Sequence, residues 1–181
     1  KLGLTSRAKQ VEMHVHEPIG GWLTDRMALA RGEDLVVSSL GQPRVEPEIA
    51  FGLRLGLAGP DVTGADVLRA TEWVAPAIEV LDSRYRDYRF TLPDVVADEA
   101  SAGRFVIGAP VAPDGVPLDL VGVVFEADGK LISTAAGAAV LGHPADAVAW
   151  WVRKIAASGR GLEAGAVVLS GALTGAIRVS P

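Results

Sequence analysis

The 181-residue sequence contains no cysteine. Disulfide bonds and thiolate metal ligands are therefore excluded. If the chain binds a metal ion, the ligands must be oxygen atoms or imidazoles, and an all-oxygen set favours a hard cation such as Mg²⁺ or Mn²⁺.

Long apolar runs and clusters of basic residues are also missing. No apolar run approaches the roughly 20 residues that a membrane-spanning helix needs, and no basic-then-apolar leader precedes the first strand. Seventeen basic residues are scattered among 22 acidic ones, which gives a net charge of -5. This distribution lacks the electrostatic footprint of a nucleic-acid-binding protein. We therefore expect a cytoplasmic enzyme that contacts neither nucleic acid nor a membrane.

Apolar residues make up 49% of the chain, which is enough for one well-buried core. Seven to nine predicted strands and three predicted helices do not alternate regularly, and this order predicts an α+β fold with a mixed sheet or roll. Residues 1–181 are expected to form a single domain. The strand-like KLGLT at Lys1 and the final IRVSP, which resembles a strand cut short, lead us to expect missing segments at both ends.

Three local patterns predict particular elements. Asp128-Gly129 separates two β-rich runs and predicts a hairpin with a type I′ turn. Thr63 and Asp66 occupy capping-box positions at the start of a helix. Pro144 opens another predicted helix, with His143 as its cap or as a residue that lines a pocket. The stretch 84–103 reads as a polar connection between two strands.

Three glutamates form a candidate metal site. Glu46 and Glu48 lie two residues apart in a predicted strand, so their carboxylates point to the same face. Glu79 lies in the apolar run AIEVLD, where an unpaired carboxylate would be costly. A cation would remove both problems, and three carboxylates suit Mg²⁺ or Mn²⁺. The alternative is that Glu46 and Glu48 are solvated and Glu79 pairs with an arginine.

Other candidates are less specific. Lys1 and the hydroxyl of Thr5 could provide a cation and a donor beside a metal, although a lone lysine is usually solvated. His14 and His16 have the spacing of a ligand pair but lie in a loop-prone stretch. The run DSRYRDYRF could offer guanidinium and phenol groups to an anionic substrate, or could be an ion-paired loop.

Six segments, in order, resemble one known family. They are KLGLTSRAKQ, QPRVEPEIAF, PAIEVLDSRYRDY, DVVADEAS, AAVLGHPADAVAW and VVLSGAL. The resemblance is to the 4-oxalocrotonate decarboxylase and 2-oxopent-4-enoate hydratase group of the fumarylacetoacetate hydrolase superfamily. It implies a mixed β-roll of the fumarylacetoacetase C-terminal type with flanking helices, usually assembled as a homo-oligomer.

The resemblance also assigns residues. It implies that Glu46, Glu48 and Glu79 hold Mg²⁺ and that Lys1 is an active-site residue. Asp98 and Ser101 match the VADNAS segment of the family beside the substrate. The chain has Glu99 in place of the usual asparagine, and the extra acid is expected to disturb binding of an anionic substrate.

Two differences from the hydratases favour a decarboxylase. Related hydratases carry an acid in a PDFG-like segment, where this chain has Ile19 in EPIGG. The run that contains Arg84 and Tyr85 also resembles the decarboxylases, so we assign Ile19, Arg84 and Tyr85 to substrate binding. The predicted reaction is decarboxylation of 2-oxohex-3-enedioate, a small 2-oxo acid, to 2-hydroxypenta-2,4-dienoate.

Three alternatives stay open at the level of the sequence. The first is hydration of 2-hydroxypenta-2,4-dienoate. The second is a non-catalytic role in a complex with a related hydratase. The third is cleavage of a C–C bond in an acylpyruvate, which needs a base to activate water; no histidine is placed like a His-Glu dyad near Lys1.

Overall fold

The computed structural model describes residues 1–12 and 14–179, and these residues form short strands and helices around one mixed sheet. The strands are β1 (Leu2–Gly3), β2 (Ile19–Gly20), β3 (Ala28–Leu29), β4 (Arg44–Leu53), β5 (Leu57–Ala58), β6 (Thr71–Leu81), β7 (Ala102–Ile107), β8 (Gly122–Ala127), β9 (Lys130–Ala136), β10 (Gly161–Leu162), β11 (Val167–Leu169) and β12 (Ile177–Arg178). The α-helices are α1 (Arg7–Glu12), α2 (Gly64–Ala70), α3 (Leu92–Ala97) and α4 (Pro144–Ala156).

The largest sheet has the strand order β11-β4-β6-β7-β3, and β12 also pairs with β4. Its centre is the long antiparallel pair β4–β6. The pair β3–β7 is parallel, so the sheet is mixed, as the α+β prediction requires. From Glu46 to Leu53 every residue of β4 is buried, so both faces of this strand are covered.

The core lies between the sheet and the helices α2 and α4. Phe51 projects from β4 and is fully buried with Val67 of α2 and with Val148 and Val152 of α4. Val148 and Val152 lie on one stripe of α4, and burial of this stripe drives the packing of α4 onto the sheet. His143 caps α4 by accepting the N–H of Ala145 at Nδ1, with 3.0 Å between the nitrogens, which confirms the capping prediction.

The local predictions are confirmed at two further places. Asp128 and Gly129 have φ values of 52° and 70°, as a type I′ turn requires, between β8 and β9. Thr63 and Asp66 form a reciprocal capping box on α2. Of the predicted terminal strand IRVSP, β12 covers Ile177–Arg178, while residues 180–181 lie outside the described part.

The stretch 84–103, which the sequence indicates only as a polar connection between two strands, also contains a helix. It contains α3, which begins with a capping box between Thr91 and Asp94 and has Pro93 in its first turn. The T-x-x-D pattern followed by VVA is a helix-start pattern that the sequence reading overlooked. Among the described residues, no helix is both long enough and apolar enough to cross a bilayer.

Candidate metal centre and active site

The β4–β6 pairing brings the three predicted glutamates together. Glu46 lies directly opposite Glu79 in the register, and Glu48 follows two residues later on the same face of β4. Each of the three offers a carboxylate oxygen, and these oxygens all lie within 4.8 Å of one another. The residues are only 9%, 2% and 1% exposed for Glu46, Glu48 and Glu79. The alternative of solvated strand residues therefore does not hold.

The cluster carries more negative charge than its surroundings neutralise. Glu48 Oε2 accepts the N–H of Gly171 at 2.7 Å, but Glu48 Oε1 and Glu79 Oε2 are buried without any hydrogen-bond donor. Burial and the charge of Glu79 raise the pKa of Glu46 from 4.5 to about 7 and raise the pKa of Glu48 well above its usual value. Orphaned carboxylate oxygens in an all-oxygen cluster fit a divalent hard cation.

Lys1 reaches this cluster from the opposite wall. Its Nζ forms an ion pair with Glu79 Oε1 that lacks hydrogen-bond geometry, and donates to the carbonyl of Ala100 at 2.7 Å. Its backbone exchanges hydrogen bonds with Gly21 at 2.9 and 3.0 Å, which extends the short β1–β2 ladder. Lys1 is 7% exposed, and contacts of both its backbone and its side chain hold it in place.

A strained turn presents the Ala100 carbonyl to Lys1. Glu99, Ala100 and Ser101 have φ values of 51°, 55° and 60°, a left-handed run that is unfavourable for residues other than glycine. The buried carboxylate of Asp98 stabilises it by accepting the hydroxyls of Ser101 and Ser83 at 3.1 and 3.2 Å. Ser101 lines the same cleft as Lys1, whereas Asp98 is not among the residues that line it, and a catalytic role for either residue stays a prediction.

Arg84 and Tyr85 are not among the residues that line the cleft beside Lys1 and Glu46, which is described below. The Arg84 guanidinium binds Asp98 Oδ1 at 2.6 Å and also donates to the carbonyls of Asp82 and Ala102. The Tyr85 ring packs edge-on against Phe90, with 6.4 Å between centroids. These contacts secure the turn at Asp98, and a direct contact of Arg84 or Tyr85 with substrate stays a prediction.

A cleft of about 600 Å³ lies beside the cluster, and Glu46 is the member of the cluster that lines it. Its walls include Lys1, Thr5, Glu46 and Ile19. Ile19 is 6% exposed and packs with Val95 and Ala100, so the wall next to Lys1 is apolar. The buried hydroxyl of Thr5 has no hydrogen-bond partner among the described residues.

Gly171 allows Thr5 to approach the cluster closely. Its φ is +106°, and a Cβ at this position would lie 2.0 Å from Thr5 Oγ1. The same residue donates its N–H to Glu48, so one glycine places a hydroxyl and a backbone donor next to the carboxylates. Thr5 is a candidate from the sequence, whereas Gly171 has no local signal there because its contact with Thr5 joins segments far apart in the chain.

Glu99 does not point into the cleft. Its Oε2 accepts the backbone N–H of Trp22 at 2.7 Å, and the residue is not among those that line the cavity. The expected disturbance of anion binding by this acid therefore finds no support in the geometry. His14 and His16 are exposed, and the described residues form no metal-ligand group other than the three glutamates.

A model of the fumarylacetoacetate hydrolase C-terminal family matches residues 2–180. The chain belongs to this family. It is 51% identical over 152 residues to a 2-hydroxypent-2,4-dienoate hydratase of Pseudomonas putida, covering 83% of the chain and 68% of that protein. It is 43% identical over 183 residues to a 4-oxalocrotonate decarboxylase of Pseudomonas sp. strain CF600, covering the whole chain and 69% of that protein.

Solved structures of the family have the same fold. The 4-oxalocrotonate decarboxylase from Pseudomonas putida G7, complexed with magnesium and adipate, has a TM-score of 0.94 and 38% identity, over 99% of this chain and 69% of that one. Fumarylpyruvate hydrolase from Pseudomonas aeruginosa, with Mn²⁺ and pyruvate, has a TM-score of 0.74 at 16% identity, over 99% and 78%, and is similar in fold alone. The predicted family and fold are confirmed.

Proposed function

We propose that this chain is a Mg²⁺-dependent lyase that decarboxylates 2-oxohex-3-enedioate to 2-hydroxypenta-2,4-dienoate. The observation that carries the proposal is the buried group of Glu46, Glu48 and Glu79. Carboxylate oxygens of this group have no hydrogen-bond donor, and a bound cation would neutralise their charge. The relatives that are named as 4-oxalocrotonate decarboxylases support the reaction, and one of them was solved with magnesium. Mn²⁺ would satisfy the same oxygen ligands.

Decarboxylation places negative charge on the C2 oxygen of the substrate, and this charge must be stabilised. When the C5–C6 bond breaks, CO₂ leaves, and the electron pair moves through the conjugated chain to the C2 oxygen, which then takes up a proton. The bound divalent cation would supply positive charge to the carboxylate and 2-oxo oxygens at this end of the substrate. The chain needs no covalent cofactor for this step.

The residues around the cluster would orient the substrate and stabilise this charge. Lys1 Nζ, which the Ala100 carbonyl and Glu79 hold in place, can donate a hydrogen bond to the C2 oxygen and act as a proton donor. Asp98 and Ser101 would maintain the turn that carries Ala100. Ser101 lines the cleft and could also contact the substrate carboxylate.

The wall at Ile19 favours decarboxylation over hydration. Hydration of the dienoate requires delivery of water and protons to the distal carbons, whereas Ile19 contributes only apolar surface, packed with Val95 and Ala100. An apolar wall excludes water from a reacting carbanion-like system and protects it from side reactions. Ile19 is held in this wall by the β1–β2 ladder, in which it pairs with Gly3.

Hydration remains the second candidate because of the 51% identity to a hydratase. A non-catalytic role as partner of a related hydratase is the third. That residues 1–181 act as a single catalytic domain, that the protein is cytoplasmic and that it forms homo-oligomers remain predictions from the sequence.

One experiment separates these candidates. Purified protein with Mg²⁺ is incubated separately with 2-oxohex-3-enedioate and with 2-hydroxypenta-2,4-dienoate, and CO₂ release and loss of the dienoate are followed. We expect CO₂ release without hydration. Hydration without CO₂ release would establish the hydratase. Failure of both reactions, with retained binding to a partner enzyme, would favour the non-catalytic role.

A further inference from the structure

The cleft contains a guanidinium, that of Arg44, which forms no ion pair with any residue that the structure describes. Arg44 precedes Glu46 by two residues in β4, so both side chains leave the strand on the same face. The Arg44 guanidinium stacks on Tyr88, with 4.0 Å between Cζ and the ring centroid. Across residues 1–12 and 14–179, the Arg44 side chain forms no ion pair and donates no hydrogen bond. Its donors are therefore available for a ligand.

We propose that Arg44, supported by Tyr88, forms a subsite for the second carboxylate of a diacid substrate. This inference rests on the proposed function, because it takes the first carboxylate and the 2-oxo group to lie at the three glutamates. Glu46 and Arg44 both line the cleft, which joins the two sites.

The spacing of Arg44 and Glu46 along β4 is comparable with the length of a six-carbon diacid. Residues two apart in a strand are separated by about 6.8 Å. This is comparable with the distance between the carboxylates of an extended six-carbon chain such as 2-oxohex-3-enedioate. The guanidinium binds a carboxylate through two parallel N–H groups, and stacking on the Tyr88 ring restricts the plane in which that fork lies.

The charges near Arg44 are compatible with an anion. Lys9 also lines the cleft. The Tyr88 hydroxyl donates to the carbonyl of Gln42 at 3.2 Å, and burial raises its pKa to about 12, so the phenol is neutral. Asp87 lines the cleft as an exposed residue and forms no ion pair with Arg44.

Arg44 is expected to govern substrate affinity more than the chemical step. The distal carboxylate loses its charge as CO₂ forms, so its interaction with a guanidinium weakens toward the transition state. A contact that is stronger with bound substrate than with the transition state lowers KM without raising kcat. Loss of Arg44 should therefore raise KM for the diacid and leave kcat within a few-fold.

Calorimetric binding to the Mg²⁺-loaded protein tests the subsite without turnover. Adipate probes both carboxylate positions, and oxalate probes the metal position alone. Arg44→Gln is expected to weaken adipate binding by about ten- to hundredfold and to change oxalate binding less than twofold. Arg44→Lys should give an intermediate affinity. The matched control is Arg104→Gln, a half-buried arginine on β7 that is not among the residues lining the cleft and that should leave both affinities unchanged.

Two outcomes overturn the subsite. Equal loss of adipate and oxalate binding in Arg44→Gln would mean that Arg44 acts through Glu46, and unchanged adipate binding would mean that it does not contact the diacid. The decarboxylase proposal fails separately: no CO₂ release, together with Arg44-dependent adipate binding, rejects the reaction and keeps the subsite. CO₂ release with Arg44-independent adipate binding rejects the subsite alone.

Discussion

The stability of the metal-free protein should fall as the pH rises, because a buried carboxylate must ionise. Burial and the charge of Glu79 raise the pKa of Glu46 in the folded protein from 4.5 to about 7. The folded state therefore holds a proton that the unfolded chain releases near pH 4.5. The contribution of this group is fully present below pH 4.5 and is lost as the pH rises through about 7.

The magnitude follows from the size of the pKa change. A tenfold change in acidity is worth about 1.4 kcal/mol, so Glu46 alone lowers the free energy of unfolding by roughly 3 kcal/mol between pH 4.5 and pH 8. For a chain of this length, that corresponds to a decrease in Tm of about 10 °C. Mg²⁺ binds the ionised carboxylates, so its stabilising effect should increase over the same pH range.

Thermal unfolding at pH 5 and pH 8, each with EDTA or with saturating Mg²⁺, measures both effects. Glu46→Gln replaces the carboxylate with a neutral group of similar shape and should reduce both the pH dependence and the gain from Mg²⁺. Glu72→Gln, an exposed glutamate on β6, is the control and should behave as the wild type. The reasoning is refuted if the metal-free protein is equally stable at both pH values, or if Mg²⁺ stabilises Glu46→Gln as much as the wild type.

Three further changes test the surroundings of the cluster. Lys1→Met removes the cation beside Glu79 and should lower kcat for CO₂ release by about a hundredfold or more, while calorimetry still detects Mg²⁺ binding; full activity would exclude a role for Lys1. Asp98→Asn weakens the acceptor for Arg84, Ser83 and Ser101 and should cost about 1–3 kcal/mol in urea unfolding, whereas exposed Asp61→Asn should cost nothing measurable; equal costs would contradict this. Glu99→Gln keeps an acceptor for the Trp22 N–H and should leave stability and oxalate binding unchanged, while Glu99→Ala should lose about 1 kcal/mol; a large gain in oxalate affinity in Glu99→Gln would show instead that this acid disturbs anion binding.

The metal cluster could be predicted because two of its members are close in sequence. A strand places residues two apart on one face, and this fixed Glu46 and Glu48 as a pair before any tertiary contact was known. Glu79 was a candidate because a carboxylate in an apolar strand needs a counter-charge. Arg44 stands two residues before Glu46 and could have been found by the same reasoning, but its position in a cleft depends on the segments around it.

The roles of the polar loop residues could not be predicted in the same way. Arg84 and Tyr85 were assigned to the substrate, whereas the Arg84 guanidinium binds Asp98 and two backbone carbonyls, and Tyr85 packs against Phe90. A guanidinium on an irregular segment can turn toward a ligand or toward the backbone, and local sequence does not distinguish these directions. Glu99 is a further case, since its carboxylate caps the Trp22 N–H from a distant segment.

The sequence by itself determined the features that arise from neighbouring residues: the hairpin at Asp128-Gly129, the capped helices α2 and α4, and the shared face of Glu46 and Glu48. The tertiary structure decided which distant groups meet them. The β4–β6 register places Glu79 opposite Glu46, and the left-handed turn at 99–101 brings the Ala100 carbonyl to Lys1. Periodicity and capping act over a few residues, whereas the charge balance of a buried site depends on contacts between segments that only the folded chain brings together.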